Sequence, residues 1–263
     1  MIKIPFVPHL VCMRNLALLL SFAIFYSHQT IANEIIVNDP DWPPYFFKGA
    51  RYQPIGFAKE VLKQCLPQTG YKARFIYHPI KRMRTYMESG DIDLHIYSYK
   101  PSRESFLIYG QEPLFKTSYQ PFINKKAPFE IQSIEDFKGL RIGHLQGLKY
   151  SKDYYQYIEE QLEKGFVRSV TSNVSLISLL AEEKIDTFVN TVDTVYWLAT
   201  TLGVREDILA VEFDIQTKNY FVALSKNSDR IKDKNAFLTK LDSCIKEIKK
   251  SGQYQKIKTG YGI

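Results

Sequence analysis

Cysteine and histidine are scarce in this sequence, three and five in 263 residues, and no histidine has a partner at the spacing a metal site uses. His78, His95 and His144 are scattered, so a structural role is expected of each. A phosphate-cradling loop, the dinucleotide fingerprint and the nucleophile-elbow serine are also missing. Their absence removes the commonest nucleotide-dependent and serine-hydrolase chemistries. Neither Cys65 nor Cys244 has the polar, cationic surroundings that generate a thiolate. No cofactor, metal or catalytic residue is read from the chain, and a protein that is not an enzyme is expected. The net charge of +7 comes from basic residues dispersed among acids, without the stripe that nucleic-acid binding needs. No nucleic-acid partner is expected.

Acids are missing altogether from residues 1–32. That stretch carries Lys3 and Arg14, then the apolar run LALLLSFAIFYS, and reaches Ala32, the layout of a secretory signal peptide. The run is too short to cross a bilayer at about 1.5 Å per residue. Cleavage after Ala32 and an exported, periplasmic product are expected, with Met13 as an alternative start. No second apolar span follows. The remaining chain suffices for one large domain or two modest lobes, and a monomer is expected.

What is present is alternation. From Glu34 onward, short apolar runs alternate with stretches of helical period, the pattern of an α/β protein. EIIVND, ARFIYH and DLHIYS read as strands, separated by the helices GFAKEVLKQCL and KRMRTYMESG. The pattern restarts at SIEDFKG, a short helix capped by Ser133, and continues through RIGHLQG, KDYYQYIEEQLEKG, FVRSVT, a helix capped by Asn173, DTFVNT, DTVYWLATTLG and LAVEF. A helical tail from about Asp229 to Lys250 completes it. No Gly, Ser or Pro-rich spacer separates the two α/β units, so extended strands are expected to join them. YQPFINK and NYFVALS are the candidates, and if both cross, the tail returns to the first unit. Cys65 and Cys244 sit on apolar stripes, with Ala58, Val61 and Leu62 in one and Phe237, Leu241 and Ile248 in the other. Two buried thiols and a disulfide are both open readings.

One stretch stands out. DPDWPPYFF, Asp39 to Phe47, packs four aromatics and three prolines into nine residues. The prolines restrict the backbone after the first strand and would hold Trp42 and Tyr45 as rigid walls. With the ESGDID helix end, KPSRESFLIYGQEPLF, FKGLRIGHLQG and the closing SGQYQKI, in that order, the chain resembles the type 3 extracellular solute-binding proteins, the periplasmic amino-acid-binding components of ABC importers.

The resemblance implies a type II periplasmic binding protein fold, two α/β lobes with a ligand cleft between them, joined by two crossing strands. The lobes would be 33–120 with 219–263, and 121–218. It implies a small-molecule ligand, an amino acid or related carboxylate, and an inner-membrane ABC permease as partner. A ligand-sensing module and a cyclohexadienyl-dehydratase-like enzyme are the alternatives on the same fold. Carried over residue by residue, it points to Asp39, Trp42 and Tyr45 after the first strand, and to Ile80 where relatives often have an aromatic. It points next to Tyr97, Ser98 and Arg103, the arginine suited to grip a carboxylate with a planar pair of donors. In the second lobe it points to Gln146, Lys149 and Tyr150 in the turn before a helix N-terminus. Asp193 is the acid nearest to where relatives meet an ammonium group.

Overall fold

A computed structural model describes residues 34–49 and 54–263. The expected signal peptide, its cleavage point and Met13 lie outside these residues. Nine strands form one sheet. In the order β2-β1-β3-β9-β4-β7-β5-β6, it contains Lys72–Ile76 (β2), Glu34–Asn38 (β1), Leu94–Ser98 (β3), Gln216–Ser225 (β9), Leu107–Asn124 (β4), Thr187–Thr191 (β7), Ile142–Leu145 (β5) and Val167–Val170 (β6). Ile208–Ala210 (β8) pairs with β4.

The pairing divides the molecule. β1 runs parallel to β2 and β3, and β5 runs parallel to β6 and β7, so each end of the sheet is a parallel α/β unit. Between them β4 and β9 run antiparallel to each other and to their neighbours. Parallel strands are covered on both faces, and each end has two cores. Ile35 and Val37 enter one core of the first lobe while Ile36 packs on the other, as strand alternation requires. Val189 and Phe188 divide the same way in the second lobe.

The helices follow their apolar stripes. Phe57–Cys65 (α1) buries Ala58, Val61, Leu62 and Cys65, and Lys234–Lys250 (α6) buries Phe237, Leu241, Cys244 and Ile248. Both stripes enter the same core. Cys65 and Cys244 meet there with their sulfurs 2.10 Å apart and their Cα atoms 5.5 Å apart, as a disulfide. The C-terminal tail therefore packs on the first lobe, with Gln253–Gly260 (α7) behind it. Met83–Ser89 (α2) completes that lobe, and Lys152–Glu163 (α3), Asn173–Ala181 (α4) and Val192–Thr201 (α5) belong to the second.

Four local readings are corrected. On β4, Pro113–Ser118 pairs with Thr217–Phe221 of β9. YQPFINK begins just past it and already pairs with β7. Helix α4 is capped by Ser172, whose hydroxyl accepts from Ser175 N, while Asn173 is the first helical residue. Around SIEDFKG the structure has only a 3-10 turn over Glu135–Phe137, and Asp136 is the acceptor, taking bonds from Gln132 N, Ser133 N and Ser133 Oγ. The tail becomes helical at Lys234, where Asp233 caps it.

Candidate functional site

The aromatic corner is fastened from three sides. Trp42 N donates to Phe46 O and Phe46 N to Trp42 O, at 3.1 and 2.9 Å, across a cis Pro43–Pro44 bond. The first N–H groups of α1 then bind its carbonyls, Phe57 N to Pro44 O at 2.9 Å and Ala58 N to Tyr45 O at 3.1 Å. Such contact needs a glycine before the helix. Gly56 has φ +104°, and a Cβ there would lie 2.4 Å from Tyr45 O. Tyr45 and Phe46 are consequently core residues, fully buried. Trp42 stays partly exposed, its ring 4.9 Å from Tyr45, 4.9 Å from Tyr220 and 5.4 Å from Phe115.

The corner touches the second lobe through α5. Tyr45 OH donates to Asp193 Oδ2 at 2.8 Å, Thr194 Oγ1 donates to Pro43 O at 2.8 Å, and the Phe47 and Trp197 rings meet edge-on at 4.9 Å. Burial, aided by the Asp193 carboxylate, pushes the Tyr45 phenol well above its ordinary pKa. It remains a neutral donor. The α5 cap is Thr191, so Asp193 stands free of capping, in the first turn.

The second cluster is cationic. Pro101–Arg103 forms a 3-10 turn after β3 that swings Arg103 back over the strand end. Its Nη1 donates to Ser98 O at 2.9 Å and its guanidinium lies 4.4 Å from the Tyr97 ring centre. Among the described residues it makes no salt bridge. Burial lifts Tyr97 to about 12 against the pull of Arg103. Behind it His95 is buried, with Asn38 Nδ2 3.1 Å from its Nδ1. Burial first, and then the Arg103 charge, hold that imidazole down to about 3.

Five residues singled out from sequence lie apart from these two clusters. Asp39 is 1% exposed, and its Oδ2 accepts from Lys59 Nζ at 2.6 Å and from Gly49 N at 3.2 Å, so it is the buried half of an ion pair. Tyr150 is buried with its OH donating to Val189 O at 2.6 Å. Gln146 and Lys149 are exposed, the first tied through its backbone to Val170 O and the second lying over the Tyr155 ring. The N-terminus of α3 is capped by Ser151. Ile80, 61% exposed, sits in a 3-10 turn and brings no ring. The structure thus brings together Trp42, Tyr45 and Asp193, and separately Tyr97, Ser98 and Arg103.

Sequence reading missed the residues between these groups. Tyr220 on β9 stacks on Phe115 at 5.1 Å, and its hydroxyl is 2.9 Å from that of Tyr119. Burial raises both phenols above the ordinary range. Beside them Lys218 is half-buried, with Nζ 5.6 Å from the Tyr119 ring. No cluster of metal-ligating residues is found among the described residues. The cations Arg103 and Lys218 can each pair with an anion.

Comparison with known proteins agrees with this architecture. A profile of the bacterial extracellular solute-binding proteins, family 3, matches residues 35–262. A histidine kinase sensor domain with similarity to periplasmic binding proteins superposes with a TM-score of 0.66 at 18% identity, covering 87% of this chain and 95% of that one. The amino acid ABC transporter substrate-binding protein AbpA from Streptococcus pneumoniae, bound to L-arginine, gives 0.63 at 19%, over 88% and 95%. The GluR0 ligand-binding core from Nostoc punctiforme, in complex with L-glutamate, gives 0.64 at 17%, over 86% and 98%. At such identities the likeness establishes the two-lobe fold alone. No protein of curated function matches at a significant level. The match across nearly all of the described chain places this protein in family 3 of the bacterial extracellular solute-binding proteins.

Proposed function

We propose that the protein captures a small polar solute, an amino acid or a related carboxylate, in the cleft between its lobes. It would deliver that solute in the periplasm, as a monomer, to an inner-membrane ABC permease. The lobes would be 33–120 with 219–263, and 121–218. The observation that carries the reading is Arg103, a guanidinium held in place by Ser98 O and the Tyr97 ring without a salt bridge among the described residues. A cation fixed in advance loses little entropy when it meets a carboxylate. Trp42 supplies an apolar wall. Capture needs different affinities in the open and closed arrangements, and the contacts from the aromatic corner to α5 differ between them by their nature.

The test is a thermal-shift screen of the mature protein against amino acids and small organic acids, run beside Arg103→Ala. A ligand at a hundredfold excess over its dissociation constant is expected to add about 2.7 kcal/mol of stability, and Arg103→Ala is expected to abolish the shift. A hit that Arg103→Ala binds equally well would remove the arginine from the site. Trp42→Ala is expected to weaken the same hit while leaving the fold intact.

A further inference from the structure

The end of the chain closes on the aromatic corner. Tyr261 follows α7, and its hydroxyl accepts from Gly56 N at 3.0 Å and donates to Glu60 Oε1 of α1 at 2.5 Å. Phe57, Ala58 and Lys59 already give their N–H groups to Pro44 O and Tyr45 O, so the phenol satisfies the donor just ahead of them. Phe47 N donates to Ile55 O at 3.1 Å on the same stretch. Burial, and then the Glu60 carboxylate, push Tyr261 up to about 12, which keeps it a neutral donor at ordinary pH. The helix itself is tied down at Tyr254, whose hydroxyl donates to Leu114 O of β4 at 3.0 Å and whose ring meets Phe57 at 5.6 Å.

The Tyr261 ring has a further neighbour. It lies 6.3 Å from the Phe47 ring, 27° from parallel, and Phe47 in turn meets Trp197 of α5 at 4.9 Å and 70°. Three rings from positions 47, 197 and 261 therefore form a row that runs from the C-terminus through the corner to the second lobe. Phe47 is only half-buried, and such a side chain keeps its rotamer freedom unless neighbours remove it. Tyr261 removes it from one side. Both hydrogen bonds of Tyr261 go to the first lobe, so its ring stands in place whether or not Trp197 is near. A contact with one half ordered in advance costs less to form.

We propose that Tyr261 is a positioning residue for lobe closure. It acts through Phe47, holding that ring where Trp197 arrives, so the end of the chain sets how readily α5 seats on the corner. The proposal rests on the solute-capture reading for its use, since closure is what encloses a solute, but the contact itself calls for no ligand.

The sequence has two tryptophans, Trp42 and Trp197, so Trp42→Phe leaves Trp197 as the one emitter, placed against Phe47. In the ligand-free mature protein with that background, Tyr261→Leu is expected to shift Trp197 emission to the red and to raise its quenching by acrylamide. Tyr261→Phe, which keeps the ring and loses both hydrogen bonds, should fall between it and the parent. Phe47→Leu should produce the change by itself, and adding either Tyr261 variant to it should change Trp197 no further, because coupled residues are not additive. Tyr254→Phe unties α7 from β4 and leaves Tyr261 in place, so it should not move the Trp197 signal. Unchanged emission and quenching in folded Tyr261→Leu and Tyr261→Phe would overturn the proposal. A change that persists without Phe47, or that Tyr254→Phe reproduces, would overturn it equally, and if Tyr261→Leu does not fold, Tyr261→Phe decides. All of this is read without ligand, so a solute screen with no hit would count against capture and leave the role of Tyr261 standing.

Discussion

The first lobe keeps its charges inside and the second keeps them at the rim. Around the aromatic corner, Asp39 and Lys59 pair at 2.6 Å with side chains 2% and 6% exposed. Asp93, fully buried, accepts from Ile36 N at 2.5 Å and from the Ser228 hydroxyl, and Arg230 lies 3.3 Å away. A disulfide crosses the same core. In the second lobe the ion pairs are peripheral, such as Arg141 with Asp186 and Lys126 with Asp207. Its buried polar residues, among them Asn124, Thr187, Asn190 and Thr191, carry no charge. Buried, mutually satisfied polar groups fix one geometry at high cost to any other. Apolar packing tolerates small readjustment. The difference teaches that the first lobe fixes charge away from water, while the second leaves its ion pairs where water and salt screen them.

That contrast can be broken in steps. The largest expected effect comes from Cys65→Ser with Cys244→Ser, which opens a loop spanning a sequence separation of 179. The chain-entropy relation assigns such a loop roughly 5 kcal/mol of unfolding free energy, to be measured by urea titration with and without reductant. Two free thiols in the oxidised, folded protein would erase this part of the difference. Acid comes next. His95 has a folded pKa of about 3, below the ordinary 6.5, so the unfolded chain takes up its proton first as pH falls. The stability it contributes is complete above 6.5 and is lost progressively toward 3, roughly 4–5 kcal/mol at the limit. His95→Gln should flatten that part of the acid-unfolding curve, and an unchanged curve would show that the imidazole is already charged when folded.

Asp39→Asn should cost roughly 3–5 kcal/mol by stranding the Lys59 ammonium, and adding Lys59→Met should recover much of the loss. Equal losses in the single and double variants would mean the pair does not act as one. The smallest effect sharpens the comparison instead of breaking it. Tyr45→Phe removes one of the two hydrogen bonds between the aromatic corner and α5 and should cost about 1 kcal/mol. Small-angle scattering should then report a larger radius of gyration for the free protein, with each lobe's circular dichroism unchanged.

Most of the architecture was legible because it rests on local periods. The strands β1, β2 and β3 and the helices α1 and α6 were readable from apolar alternation, and two apolar stripes carried Cys65 and Cys244 into one core. Within the candidate site, Arg103 and Trp42 were legible as candidates because motifs name them. The pairing of Asp39 with Lys59 was not, because it depends on where α1 lands against β1, twenty residues on. The anchoring of Tyr150 was hidden for a related reason. Its role depends on a carbonyl thirty-nine residues away. The polar face of β9 could have been found, since Gln216, Lys218 and Tyr220 alternate with outward Thr217 and Asn219. The stretch read as a crossing, NYFVALS, begins at Asn219 and leaves Gln216 and Lys218 outside it.

The position of β9 between β3 and β4 bears on how the chain is made. Whether it emerges from a ribosome or a membrane pore, the polypeptide arrives N-terminus first. Apart from its hinge strands, the second lobe is drawn from one unbroken stretch and can close as soon as that stretch is out. The first lobe begins earlier and finishes later, since β3 lacks its neighbour until residues 216–225 appear and Cys65 lacks its partner until Cys244 follows. The half of the molecule that is most firmly fixed at the end is the half that waits longest, exposed, during synthesis.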